Sequence, residues 1–485
     1  MKKLIVPIVK FAATCLLAHG AWAAQWTGAN SDILDDPLNW DGDIATSAML
    51  FGKDASTVIT NDVTVYGVYK DEESGNSYKG RTVEFDLDGH MLTSQNAGYW
   101  RLNNTTYRFT GGGSISFVSG STTNTITVDN ANNPRCFIDV SGSGTTFVGN
   151  YFSRAKQTSG FGARFRVLDG AVAQGNFHFA GRYSTNEVSN GGAIYFGKGS
   201  NDFGPALSVG GNDSYPNHYN NVLRVSGGTV ASRVSGNGSN RGSIGIGHGT
   251  SSYGNWLIVQ NGGTASASSY ILVGPGKSHD NTLLATGAGS TVSAWHVYLG
   301  TADDAEERNN AIVVADGSRM NVSSTFHFRG KGNILSISNA TVNIAYHLDP
   351  SAGTTNTIRF AGANPVLSCK DIVENVNSLK GSPILEYVIP EAGWATAPLR
   401  TTTAFSIPAD VTLRIDEVSV KAYLKANPHG GVVPLMTTQS ASRAITIADM
   451  DALSANLPNG CSLENESGVL SLKIKSSLGF MVIVF

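Results

Sequence analysis

Six segments between residues 220 and 367 open on an asparagine followed, two and four residues later, by apolar side chains: NNVLRVSGGTV (220–230), GNWLIVQNGGTA (254–265), DNTLLATGAGSTV (280–292), NNAIVVADGSRM (309–320), GNILSISNATV (332–342) and TNTIRFAGANPV (355–366). The lead residues are Asn221, Asn255, Asn281, Asn310, Asn333 and Asn356, at spacings of 34, 26, 29, 23 and 23 residues. A repeat this constant in its core and this variable in its spacers constrains the fold strongly. It predicts a solenoid whose strands are fixed and whose loops are free to change length.

Residues two apart on a strand share a face. Asn221, Leu223 and Val225 therefore point one way, as do Asn255, Leu257 and Val259, while Arg224 and Ile258 point the other. If the aliphatic pair is inside, so is the asparagine. A lone buried amide costs a few kcal/mol, roughly. Amides stacked one per coil, ~4.8 Å apart, can satisfy one another, so the repeat predicts an asparagine ladder. Weaker copies occur at Asn61-x-Val63-x-Val65, at Asn124-x-Ile126-x-Val128, and at Phe165-x-Val167 without an asparagine. A second strand ending in glycine recurs as FHFAG (177–181), AIYFG (193–197), SIGIG (243–247), YILVG (270–274), HVYLG (296–300) and FHFRG (326–330). The fold expected is a right-handed parallel β-helix of about eleven coils. Four segments follow from this: residues 1–23 a leader, 24–60 an N-terminal cap with Trp26 and Trp40 over the first coil, 61–367 the repeats, and 368–485 a small β-rich C-terminal cap. That cap is expected to hold short helices near Asp371–Leu379 and Ile447–Leu457, and strands at Val411–Ile415, Val469–Ile474 and Phe480–Phe485.

Composition agrees with β structure. The chain has 56 glycines in 485 residues and only 15% charged residues, where long helices favour Ala, Leu, Glu and Lys. Lys2, Lys3 and Lys10, the apolar run Phe11–Ala18 and the small residues of Ala21-Trp22-Ala23 read as a secretory signal peptide. Its removal takes the basic count from 34 to 31 against 37 acids, and the formal charge from −3 to −6. An acidic chain without a basic block is a poor partner for nucleic acid, and no apolar run beyond the leader is long enough for a transmembrane helix. Cys136, Cys369 and Cys461 allow at most one internal disulfide. The expected location is extracellular, at the cell surface, or periplasmic.

The run LLATGAGSTVSAWHVYLG (283–300), the motif at 221–228 and the opening WTG…NW (26–40) resemble the repeats of autotransporter passenger regions and of secreted bacterial PEP-CTERM-associated proteins. The resemblance covers roughly residues 25–367. It implies a β-helical surface or extracellular molecule acting in adhesion or matrix formation, with glycans or other cell-surface components as partners. The segment after residue 368 lacks the regular alternating strands of a translocating barrel, and the final SSLGFMVIVF lacks the basic stop of a sorting tail.

Enzymes on this fold set carboxylates, or a base with calcium-binding acids, on one outward face of adjacent coils. The densest acidic group is Asp303, Asp304, Glu306 and Glu307, read as a solvated loop with calcium binding as the alternative. Asp86-x-Asp88 reads as the polar face of a strand, and Asp41-x-Asp43 as a turn. The glycine clusters Gly111–Gly113 and Gly245–Gly249 read as turns. His178 and His327 occupy matching FHF triplets and are expected to be exposed, five coils apart. Tyr195, Tyr298 and Trp256 are expected to face outward as a sugar-stacking strip. No nucleophile or metal signature is present in the sequence, so no catalytic residue, cofactor or metal ligand is assigned. The expectation is a structural, adhesin-like protein that is not an enzyme; a carbohydrate-binding or polysaccharide-degrading β-helix is the alternative.

Overall fold

The computed structural model describes residues 23–51, 54–67, 81–95, 105–119, 122–123, 125–129, 137–154, 162–197, 205–211, 218–234, 242–249, 251–301, 307–372, 382–439 and 442–476. Residues 1–22 of the expected leader, Cys136, Asn124, Asp303, Asp304, Glu306, the 373–379 part of the expected first helix and the terminal Phe480–Phe485 lie outside them.

Strands of successive windings pair in parallel, and three ladders run along the molecule. The first is a sheet of 14 strands from Ala55–Val58 to Thr412–Ile415. The second climbs through Val172–Gly175, Ala193–Phe196, Thr229–Ser232, Thr264–Ser266, Thr291–Ala294 and Arg319–Val322. The third climbs through Phe177–Ala180, Leu207–Val209, Ile244–Ile246, Tyr270–Val273, His296–Leu299 and Phe326–Lys331. Higher up, the single strand Thr341–Thr354 serves both, pairing with Arg319–Val322 at one end and Phe326–Lys331 at the other. The fold is a parallel β-helix.

Inside, like residues stack on like. Leu223, Leu257, Leu283, Ile312, Leu335, Ile358 and Leu385 form one in-register row in the first ladder, and all are fully buried. Burial of each stabilises the fold by about 1.5–3 kcal/mol. Toward the N-terminal end the core becomes more aromatic, with Phe85 and Phe109 stacked at 5.3 Å and Phe165 against Tyr151 at 4.8 Å.

The asparagines form the expected ladder. All six are at most 1% exposed. Asn221 donates its backbone N–H and its Nδ2 to Asn255 Oδ1 at 3.1 and 2.9 Å. Asn255 repeats this on Asn281 at 3.1 and 2.9 Å, and Asn281 on Asn310 at 3.0 Å for both bonds. The backbone bonds continue from Asn310 to Asn333 and from Asn333 to Asn356 at 2.8 and 2.9 Å. Spare Nδ2 protons reach the carbonyls of the preceding corner, as from Asn310 to Ser278 at 3.2 Å. Glycine ends the third-ladder strands for the same reason. Gly274 has φ +71°, and a Cβ there would lie 2.1 Å from Asn310 Cγ; at Gly247 the clash is with Asn281 at 2.2 Å.

Several expectations need correction. AIYFG (193–197) belongs to the second ladder, not with the other glycine-ended strands in the third. Asn61 is exposed and donates to Asp35 at 2.9 Å, so it is no ladder member. Gly245 lies within a third-ladder strand rather than a turn, whereas Gly111–Gly113 do turn, all with positive φ. Parallel pairing also continues past residue 367, where the asparagine motif fades, through Ile384–Tyr387 to Thr412–Ile415.

The ends are covered. Trp26, Trp40 and Phe51 pack edge-on or tilted over the first coil, which they reach through Phe85. At the far end, Gly431–Thr437 pairs antiparallel with Val469–Ile474, and that strand with Cys461–Glu466, so the direction of pairing reverses. A short helix, Met450–Ser454, falls within Ile447–Leu457, capped by Asp449. The helix Glu417–Ala426, capped by Asp416, was not anticipated. Cys369 and Cys461 are free thiols, and no helix among the described residues is long and apolar enough to cross a membrane.

Candidate functional site on the third sheet

Register converts each ladder's outward residues into columns, and the three columns differ in chemistry. On the first sheet Glu84, Arg108, Asp139, Arg166, Glu187 and Arg224 follow one another in register with alternating charge. Asp139 is nearly buried and takes Arg166 at 2.7 and 2.5 Å and Arg164 at 3.1 Å. The hydrogen bond to Asp139 raises the Arg166 pKa. Every charge in that column has an opposite neighbour, which accounts for it structurally. On the second sheet the column is mostly uncharged: Thr229, Thr264 and Thr291 lead to Arg319 in one row, and Ser266, Ser293, Asn321, Asn343 and Ser368 lead to Arg400 in the next.

The third sheet is different. Tyr270 sits below His296, and Leu272, Tyr298, His327 and Asp349 occupy one row. His327 Nδ1 is 3.0 Å from Asp349 Oδ2, with the two side chains 15% and 18% exposed. One coil further on, His347 Nδ1 pairs with Asp371 in the same way, with the side chains 16% and 11% exposed. Each imidazole thus meets a carboxylate from the next coil, twice in succession. The rings stand up from the sheet and stack along the axis: Tyr298 on His327 at 4.3 Å and 14°, His296 on His327 at 5.4 Å, and Trp295 edge-on to His296 at 4.2 Å. Arg329 lies over Tyr298 at 5.7 Å and donates to Thr301 O at 3.2 Å; Lys370 lies over Tyr346 at 5.5 Å. Burial, with His327 adding, lowers the His296 pKa, and burial raises that of Tyr298.

Of the residues singled out from sequence, only Tyr298 and His327 meet here. Tyr195 is on the second sheet under Arg233, whose guanidinium lies 4.2 Å from the ring, and Trp256 is on the first. The three rings occupy three faces and form no strip. His178 is buried rather than exposed: Phe152 lies 5.4 Å from its ring and Ser208 Oγ 2.9 Å from its Nδ1. Burial, with a smaller contribution from His248, pushes its pKa down to about 4. Glu307 is buried, not solvated, and accepts from Gly276 N at 2.8 Å and Thr301 N at 2.6 Å, so it ties a turn together. Asp88 is in a turn at positive φ rather than on a strand, and Asp43 makes the expected turn with Ala45 N at 2.9 Å. Among the described residues no group of three or more His, Cys, Asp or Glu is arranged to hold a metal ion.

Sequence reasoning missed His296, His347, Asp349, Asp371 and Arg329, because their partners come from other coils. It also missed a corner column two residues before the asparagines: Tyr219, Tyr253, His279, Arg308 and Lys331, bridged in register. Tyr219 stacks on Tyr253 at 4.9 Å and Tyr253 on His279 at 5.3 Å. The signal for it was present, since an aromatic or basic residue stands at that offset in YNN, YGN, HDN, RNN and KGN. These rings are partly exposed, but their faces are filled by one another, so the column braces the corner. No protein-family model, curated protein or solved structure matches the chain.

Proposed function

We propose that this chain is a secreted or cell-surface structural protein of the adhesin kind, acting as a rod-like scaffold without catalytic activity. The observation that carries this reading is the second sheet's outer face. A column of Thr, Ser and Asn repeats there coil after coil, with Asn343 donating to Asn321 at 3.2 Å and Ser368 donating to Asn343 at 2.9 Å. Such a surface carries few charges, Arg319 and Arg400 among them, and suits lateral contact with other extracellular material. The signal-peptide pattern and the paucity of charge support the same reading. The test uses the mature chain on bacterial surfaces and on extracted matrix, with a reducing-end assay on the same polysaccharides. Retention without turnover is the expected result; release of new ends from any polysaccharide overturns the scaffold reading.

A second reading, carbohydrate binding, is favoured by one observation: the imidazole, phenol and indole groups gathered on the third sheet between Tyr270 and Asp371.

A further inference from the structure

Polar pairs on the third sheet are costly compared with the serines and threonines that serve the second. Holding carboxylates and imidazoles this far from water carries a desolvation penalty that their mutual attraction often fails to offset. The arrangement nonetheless occurs twice on consecutive coils, with His327 to Asp349 and His347 to Asp371 in register. A neutral imidazole has one N–H and one lone pair. A carboxylate at Nδ1 fixes the proton there, which leaves Nε2 as an acceptor of fixed orientation. Neither Nε2 has a partner among the described residues, and neither is closed off from solvent. Among the described residues the hydroxyls of Tyr270 and Tyr298 and the indole Nε1–H of Trp295 are likewise unpartnered and reach solvent.

Ring faces are not what this surface offers. Tyr298, His327 and His296 cover one another's faces, so a sugar cannot stack on them as on a platform. Their edges remain, and offer hydrogen-bond acceptors and donors side by side. Tyr346, 48% exposed with Lys370 over its ring at 5.5 Å, stands next to the row. Formal charge balances across the patch, with Arg329 and Lys370 against Asp349 and Asp371, so it has no preference for an ionic ligand. A ligand that brings many hydroxyls, each able to donate and accept, and no net charge, complements such an edge.

We propose that the outer face of the third sheet, centred on His327, His347, Tyr298 and Trp295, is a binding site for a neutral polysaccharide, held by hydrogen bonds to ring edges rather than by stacking. The proposal rests on the carbohydrate-binding reading and assigns it a place and a ligand class. It is tested by affinity electrophoresis of the mature chain in gels containing hydroxyethylcellulose, galactomannan or laminarin, with polygalacturonate as the charged comparison. At least one neutral polymer is expected to retard the protein. The double variant His327→Phe/His347→Phe keeps the rings and loses the nitrogens. It is expected to bind at least about five-fold more weakly, the loss of roughly one net hydrogen bond, while Gln260→Ala on the first sheet leaves binding unchanged.

Carbethoxylation of the wild-type histidines, read by mass spectrometry, gives a measurement that needs no variant: the retarding polymer is expected to protect His327 and His347. Retardation by polygalacturonate alone overturns the choice of ligand. Retardation by a neutral polymer without protection of these histidines overturns the site, but leaves carbohydrate binding elsewhere standing. Absence of retardation by every polymer overturns both, and leaves the scaffold reading to its own assay.

Discussion

Asn281 shows what one residue does in this molecule. Its Oδ1 accepts two bonds from Asn255, its backbone N–H and one Nδ2 proton go to Asn310, and the other Nδ2 proton goes to Ser252 O. Truncation to alanine strands the two buried Asn255 donors, each costing about 1–3 kcal/mol, and leaves Asn310 Oδ1 with only the backbone N–H of residue 281. Asn281→Ala is therefore expected to lower stability by about 2–4 kcal/mol in urea unfolding, whereas Asn61→Ala, at the exposed asparagine, changes it by less than about 0.5 kcal/mol. His178 gives a pH signature. Its pKa is about 4 in the fold against 6.5 in the open chain, so the unfolded state binds the extra proton between those values. Stability from this residue is complete above pH 6.5 and is lost as pH falls toward 4, by about 3 kcal/mol in all. Denaturation midpoints measured from pH 7 to 4 should fall less steeply in His178→Gln. The asparagine ladder was legible because strand parity alone places it; the His–Asp pairs were not, because which carboxylate meets which imidazole depends on the lengths of the intervening loops. His178 was misplaced because parity says which way a side chain leaves the coil, not whether a loop covers it.

At the scale of a turn, the glycines divide into two kinds. Gly262 has φ +76° and open space where a Cβ would go, while Gly274 has φ +71° and the Asn310 amide 2.1 Å away. Gly262→Ala pays only the left-handed backbone cost of about 1–2 kcal/mol. Gly274→Ala adds a clash with the buried ladder and is expected to cost at least about twice as much, as read by the shift in thermal midpoint of the two variants. Strand identity was legible from alternation, but strand partnership was not. AIYFG has the same pattern as its third-ladder counterparts, yet it pairs with Val172–Gly175 on the second. The helix Glu417–Ala426 escaped notice because it buries only Ser419, Val420 and Tyr423, too few for a clear helical period. Its signature was local instead, in Asp416 accepting from Ser419 N at 2.7 Å.

Considered whole, the molecule is a stack whose coils contact mainly their neighbours, so length and stability are separable in a way that globular cores do not permit. Asn281 and Asn310 are 29 residues apart and occupy equivalent places. Deleting residues 282–310 joins Asn281 to Ala311 and removes one winding from all three ladders. The shortened chain is expected to remain folded, with an unchanged β-type circular dichroism spectrum per residue and a modestly lower thermal midpoint. Deleting 282–295, about half a winding, is expected to abolish cooperative unfolding. From amide to amide, Asn221, Asn255 and Asn281 each donate to the neighbour on the C-terminal side, Asn255 and Asn281 accept from the one on the N-terminal side, and Ser184 closes the row below by donating to Asn221 Oδ1 at 2.7 Å. Their dipoles therefore add head to tail, making the column vectorial. A transplanted or duplicated winding can be spliced in only with the sense of its host, since an inverted one would oppose carbonyl to carbonyl at one seam and amide to amide at the other.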